Sequence, residues 1–133
     1  MLRRGLGILA LLLVAGCGTS SRLCAVQGAV TLKGAPLDQG TISFYVAGSP
    51  SPAGGALIQN GRYTIPAEQG LEAGTYRVTI NSTIGSDLTP AEYAAGKKPA
   101  PPQERIPAAY NTQSQHTVNV ERGKANQFDF RIE

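Results

Sequence analysis

The feature that most constrains this chain is an alternation of apolar and polar side chains in short runs, each closed by glycine or proline. Gly74-Thr75-Tyr76-Arg77-Val78-Thr79-Ile80-Asn81 is its clearest case. Tyr76, Val78 and Ile80 share one parity, while Arg77 and Thr79 take the other. Successive side chains of an extended strand point to opposite faces, so this run predicts a half-buried strand. Gly40 to Val46 repeats the pattern through Ile42, Phe44 and Val46, in residue types that suit a pleated surface. After residue 16 no run carries the longer period of an extended amphipathic helix.

The punctuation is as informative as the runs. Val26, Val30 and Leu32 share a parity that faces a core, and Gly34-Ala35-Pro36-Leu37 then turns the chain. Asn60-Gly61 lies between Ala56-Leu57-Ile58 and Arg62-Tyr63-Thr64-Ile65, and both turn residues tolerate positive φ, so a hairpin is expected. Near the end, Val118 and Val120 alternate in one run, and Phe128, Phe130 and Ile132 in another. With a turn near Gly123, these two runs predict a closing hairpin.

Residues 82–114 interrupt this rhythm. Thr89, Pro90 and Gly96 suit the cap, first position and stop of one or two helical turns. KKPAPPQER is expected to be extended and poorly packed, whereas Ile106-Pro107-Ala108-Ala109-Tyr110-Asn111 is apolar enough to dock on the body. The fold class expected is all-β: a two-sheet Greek-key β-sandwich of about seven short strands, with an irregular insertion before the last hairpin.

The first residues read differently. Arg3 and Arg4 precede an apolar stretch, Leu6 to Gly16, too short for the roughly 20 residues that span a bilayer. This pattern fits a cleaved secretory signal. Its end, Val14-Ala15-Gly16-Cys17, resembles the lipobox of bacterial lipoproteins. The resemblance implies cleavage before Cys17 and acylation (diacylglycerol and palmitate-type chains) on that cysteine. Each buried methylene contributes about 0.8 kcal/mol, so two or three chains hold a protein on a membrane where one does so only marginally. Gly18, where an aspartate would signal inner-membrane retention, implies the outer membrane. The expected organisation is a signal peptide at 1–16, an acylated polar tether at 17–24, and one domain at 25–133 containing the insertion at 82–114.

Cleavage also changes the charge. The precursor has 12 Lys plus Arg against 9 Asp plus Glu, but Arg3 and Arg4 leave with the signal. Ten against nine leaves no basic stripe and no nucleic-acid footprint. With Cys17 acylated, Cys24 has no intrachain partner. It is expected to be a small buried residue or, failing that, to bond to another chain.

Gly28-x-Val30-x-Leu32-x-Gly34-x-Pro36-Leu37, Gly40-Thr41-Ile42-x-Phe44, Gly61-x-Tyr63-x-Ile65 and Gly74-x-Tyr76-x-Val78 follow in order. Over Val26 to Ile80 this succession resembles the carboxypeptidase regulatory-like domain, a transthyretin-like (prealbumin-type) β-sandwich. With the lipobox, it is similar to a class of small bacterial lipoproteins. The resemblance implies a scaffold without catalysis of its own. The related hydrolases of the transthyretin fold need several histidines and a C-terminal motif that Phe130-Arg131-Ile132-Glu133 does not match.

The residues agree that chemistry is sparse. His116 is the one histidine, so any Ser-His arrangement must use it, with Ser114 the nearby hydroxyl. One histidine, Cys24 and scattered carboxylates give no metal-ligand cluster, and no cofactor motif is present. Tyr63 and Tyr76 are expected in the core. Tyr45, Tyr93 and Tyr110 remain as a candidate partner surface, or as cover for a sheet edge. The function expected is a non-enzymatic, membrane-anchored envelope lipoprotein. It would hold membrane lipid through Cys17 and serve as a structural or protein-interaction module for an envelope protein or glycan. The alternative is a carbohydrate- or peptide-binding module using Tyr45, the Ser49–Gly55 loop, Tyr93 and Tyr110.

Overall fold

The computed structural model describes residues 22–85 and 88–133, which are mostly β-strand. β1 (Leu23–Cys24) and β2 (Val26–Leu32) lead through a tight turn at Lys33 and Gly34 to the short β3 (Ala35–Pro36). β4 (Gln39–Val46), β5 (Gly54–Gln59) and β6 (Arg62–Ile65) follow. A 3-10 turn at Ala67–Gln69 leads to β7 (Leu71–Glu72) and then β8 (Gly74–Asn81). The interrupted region holds β9 (Thr83–Ile84), α1 (Pro90–Ala94) and β10 (Gln103–Glu104). After a second 3-10 turn at Ala108–Tyr110 come β11 (Thr117–Val120), β12 (Asn126–Gln127) and β13 (Phe130–Ile132).

The main sheet runs β11-β8-β4-β5-β6-β2-β12, with β3 and β13 also paired to β2. Its ladders are antiparallel except for β12 and β13, which lie parallel to β2. The link between β5 and β6 is a single rung, Gln59 to Arg62, and there the sheet curls over. Asn60 and Gly61 make that corner with φ of 52° and 75°, the positive angles a two-residue hairpin of this kind requires. Curling lets the apolar faces meet in one core containing Val26, Val30, Ile42, Phe44, Tyr63, Val78, Ile80, Val120 and Ile132.

The alternation read from the sequence holds along β8, where Tyr76, Val78 and Ile80 are all buried. It fails at the last residue of β4: Val46 sits on the final rung, opposite Tyr76, and is 49% exposed. Thr79, on the polar parity, is itself buried. Tyr63 and Tyr76 lie in the core as expected, each giving its hydroxyl proton to a carbonyl, Phe128 O at 2.6 Å and Glu72 O at 2.8 Å.

The expected closing hairpin does not form. β11 pairs with β8, whereas β12 and β13 pair with β2, at the opposite limit of the main sheet. Asn126 turns the chain between them. Its Oδ1 accepts from the Glu121 N–H at 2.9 Å, and its Nδ2 donates to Glu121 O at 3.0 Å and Ala25 O at 3.4 Å. Those bonds satisfy a buried amide and steer the chain onto the vacant side of β2. Gly28 permits the approach: a Cβ there would overlap the Phe128 carbonyl oxygen.

Candidate functional site

The strand registers define two ends of the molecule. Val26, Ile65, Gly74, Val120 and Asn126 lie at one, and Leu32, Gln39, Gln59, Asn81 and Ile132 at the other. The chain enters at the first end, where Leu23 and Cys24 pair with Glu72 and Leu71. The ladder thus begins two residues before the domain boundary expected at 25. The inserted segment of β9, α1 and β10 follows Asn81 and belongs to the other end. Val14, Ala15, Gly16 and Cys17, and the whole 1–16 signal, lie outside the described residues. Cys24 is free and buried. Among the described residues no helix is long and apolar enough to cross a membrane.

A polar cluster fastens the insertion to the body. Arg105 Nη2 donates to Asp38 Oδ1 and to Ser82 Oγ, both at 2.6 Å, and its Nε reaches the same Oγ at 3.2 Å. Ser82, only 2% exposed, passes its own proton to the Gln39 carbonyl at 2.6 Å. Glu104 Oε1 accepts the backbone N–H of Ser82 at 2.8 Å and of Ile106 at 3.0 Å. Burial raises the Glu104 pKa, but those two amides with Asn81 and Thr83 outweigh it, so the carboxyl ends below its ordinary value. Asp38 is held low chiefly by the Arg105 hydrogen bond. Asp38, Gln39 and Ser82 belong to the body, whereas Glu104 and Arg105 come from KKPAPPQER, the stretch expected to pack poorly. The apolar segment behind it docks as expected, with Ile106 buried.

The helical turn also forms where the sequence places it. Thr89 Oγ1 accepts the Glu92 N–H at 3.3 Å, and Glu92 Oε2 accepts the Thr89 N–H at 2.9 Å. This reciprocal capping box leaves Tyr93 at 59% exposure, with Ile84 at 40% on β9.

The three tyrosines of the candidate partner surface have different surroundings. Tyr45 is half-buried, with the Arg77 guanidinium carbon 4.9 Å from its ring centroid. Tyr110 stacks on His116, centroids 4.3 Å apart and planes 14° from parallel, and gives its hydroxyl proton to Arg131 O at 3.0 Å. It therefore spans from β11 to β13. Arg77 faces Thr117 across the β8–β11 ladder and Tyr45 across the β4–β8 ladder. Tyr93 stands on α1, and the contacts of Tyr45 and Tyr110 do not include it.

His116 is exposed, and its described ring partner is Tyr110. Ser114 Oγ donates to the Val78 carbonyl and accepts the His116 backbone N–H at 3.4 Å. That hydroxyl is therefore engaged with backbone groups of the sheet edge. Among the described residues no three His, Cys, Asp or Glu side chains gather in a metal-binding group. Set against known families, curated proteins and solved structures, the chain matches none of them.

Proposed function

We propose that the protein is a non-enzymatic lipoprotein of the cell envelope, anchored to membrane lipid through acylated Cys17. Its role on this reading is that of a structural or protein-interaction module. The observation that carries it is the opposed placement of chain entry and insertion. Only residues 18–22 separate Cys17 from β1, so an extended link reaches at most about 20 Å. A strand of eight residues such as β8 spans about 25 Å, so the insertion stands at the end remote from the lipid. Tyr93 and Ile84, exposed there, are the surface offered to a partner protein, and Gly18 after the cysteine supports an outer-membrane location.

The finer fold reading is a two-sheet Greek-key sandwich of the carboxypeptidase regulatory-like, transthyretin type. It is supported by the single-rung corner, which divides the main sheet into β11-β8-β4-β5 and β6-β2 with β12 and β13. Metabolic labelling with a fatty-acid analogue tests the anchor: label is expected on the wild type and lost in Cys17→Ser. Recovery of partners from envelope extract tests the surface. Equal recovery by wild type and a Tyr93→Ala, Ile84→Ala double variant refutes it.

One feature favours the alternative, a carbohydrate-binding module. A shallow groove of about 400 Å³ beside Leu57 is lined by the uncharged hydrogen-bonding side chains Gln39, Thr41, Gln59, Asn81 and Thr83. Such a set suits a neutral sugar. Calorimetry with neutral oligosaccharides distinguishes it, since binding lost in Asn81→Ala supports a glycan ligand.

A further inference from the structure

Glu104 stands behind one wall of the shallow groove beside Leu57. On the β9–β10 ladder it lies directly opposite Thr83, so the two side chains share a face, and Asn81 is two residues back on the same parity as Thr83. Asn81 and Thr83 both line the groove, and Asn81, Thr41 and Leu57 sit side by side on one rung of β8, β4 and β5. The Glu104 carboxylate is clamped at Oε1 by the backbone N–H groups of Ser82 and Ile106. Its other oxygen is thereby aimed at Asn81 Nδ2 and Thr83 Oγ1, each 3.4 Å from Oε2. Burial opposes ionisation, but the surrounding donors win and hold the carboxyl below its ordinary value, so it is charged at neutral pH. An ionised carboxylate can only accept. The Asn81 amide must therefore turn its nitrogen toward it, and Thr83 must give it its one hydroxyl proton. What this wall then offers a ligand is chiefly acceptors, the Asn81 Oδ1 and the lone pairs of Thr83 Oγ1.

We propose that Glu104 is a positioning residue for this groove, and that through it the groove selects ligands that donate hydroxyl protons, as a neutral sugar does, over ligands that only accept. Asn81 alone could not make that choice, because a free amide offers a donor or an acceptor as the ligand requires. Held by Glu104, it offers one orientation. The clamp matters as much as the charge. Two backbone amides fix the carboxylate before any ligand arrives, so less ordering is left to be done on binding. Both acceptors are tied to the same oxygen, which keeps them near enough to serve neighbouring hydroxyls of one sugar ring. Sugars whose hydroxyls are methylated carry acceptors alone, and against this wall acceptor would face acceptor. This role rests on the carbohydrate reading of the groove and adds to it the residue that sets the sense of its hydrogen bonds.

Calorimetry of the full chain in a detergent without sugar groups tests it, with hexasaccharides of glucose and of mannose and their fully O-methylated counterparts as probes. A hexasaccharide is expected to bind about tenfold more tightly than its methylated form, the factor for one hydrogen bond made or left unmade. Glu104→Gln can turn a donor toward Asn81, so the preference should shrink to about twofold or less, through weaker binding of the hydroxylated sugar. Arg105→Ala is the control for a role in holding the insertion alone. Its bonds go to Asp38, Ser82 and Gln39 and not to Asn81 or Thr83, so the preference should persist even where affinity drops. Full preference in Glu104→Gln, or equal loss of it in Arg105→Ala, overturns the role of Glu104 and leaves the carbohydrate reading standing. Equal binding of the two forms by the wild type does the same. Failure of every probe to bind overturns both together.

Discussion

Arg105 reaches across 67 residues of chain to Asp38, with Nη2 and Oδ1 2.6 Å apart, and the same nitrogen lies 2.6 Å from Ser82 Oγ. The Asp38 side chain is largely exposed and contributes little by itself. The Ser82 hydroxyl and the Gln39 carbonyl are the partners that make Arg105 a fastener.

Arg105→Ala is expected to cost about 1–2 kcal/mol, the range for hydrogen bonds from a charged group to sheltered acceptors. Urea unfolding measures it. The loss should be accompanied by faster amide exchange in β9 and β10, a ladder of only two residue pairs that Arg105 adjoins. Arg105→Lys should recover part of the stability but not the forked contact to Ser82 Oγ.

Glu104 gives the cluster a pH dependence whose sign is fixed by its lowered pKa. A carboxyl depressed in the folded state contributes stability that is complete above its ordinary value of 4.5. That contribution disappears as pH falls below 4.5 and through the depressed folded value. At neutral pH Glu104→Gln should therefore be less stable than the wild type by about 1 kcal/mol, a figure already discounted for partial exposure. Denaturation at pH 7 and at pH 3 should show the gap closing. An unchanged gap would mean that the carboxylate charge plays no part.

At the alkaline limit the relevant group is Tyr63. Burial pushes its phenol well above the ordinary value of 10. A raised folded pKa means stability that is complete below 10 and lost as pH climbs past it, because the unfolded chain ionises first. Tyr63→Phe should lose about 1–2 kcal/mol at pH 7, through the abandoned Phe128 carbonyl, yet decline less steeply above pH 10. Thermal melts at pH 7 and pH 10.5 test both halves of this expectation.

Gly28 is required for its lack of a side chain and not for an unusual backbone angle. A Cβ there would overlap the Phe128 carbonyl and stand 2.8 Å from Tyr63 Oη. Gly28→Ala should therefore drive β12 and β13 off β2 and cost about 3 kcal/mol, at the upper end for overpacking. By contrast, Gly123→Ala meets nothing within 4 Å and carries only the strain of a φ of 74°. Its smaller loss, on the order of 1 kcal/mol, makes it the control.

Much of this architecture was written locally. Parity along Gly74–Asn81 assigned Tyr76, Val78 and Ile80 to the interior because a strand has only two faces. Asn60-Gly61 specified a hairpin because few residue pairs accept two positive φ angles. Thr89, Pro90 and Gly96 specified a helical turn because capping and stopping involve only neighbours. The candidate surface was less legible. Tyr93 projects from its short helix, whereas Tyr110 is bonded to Arg131, and nothing in the residue type distinguishes the two. Glu104 and Arg105 were overlooked because a proline-rich stretch has no periodicity to read.

The sequence by itself determined the longer strands β2, β4 and β8, their apolar faces apart from Val46 and Thr79, and the reversal at Asn60-Gly61. Only the tertiary structure decided which strands are neighbours. Phe128, Phe130 and Ile132 alternate as well for a hairpin with Val118 and Val120 as for the parallel ladder they form with β2. A period of two encodes a face, and a face is silent about the edge it lies beside. The choice was made by contacts between residues about a hundred apart, at Gly28 and Asn126. There, missing side-chain volume and a buried amide's need for partners make one edge of β2 the place to dock.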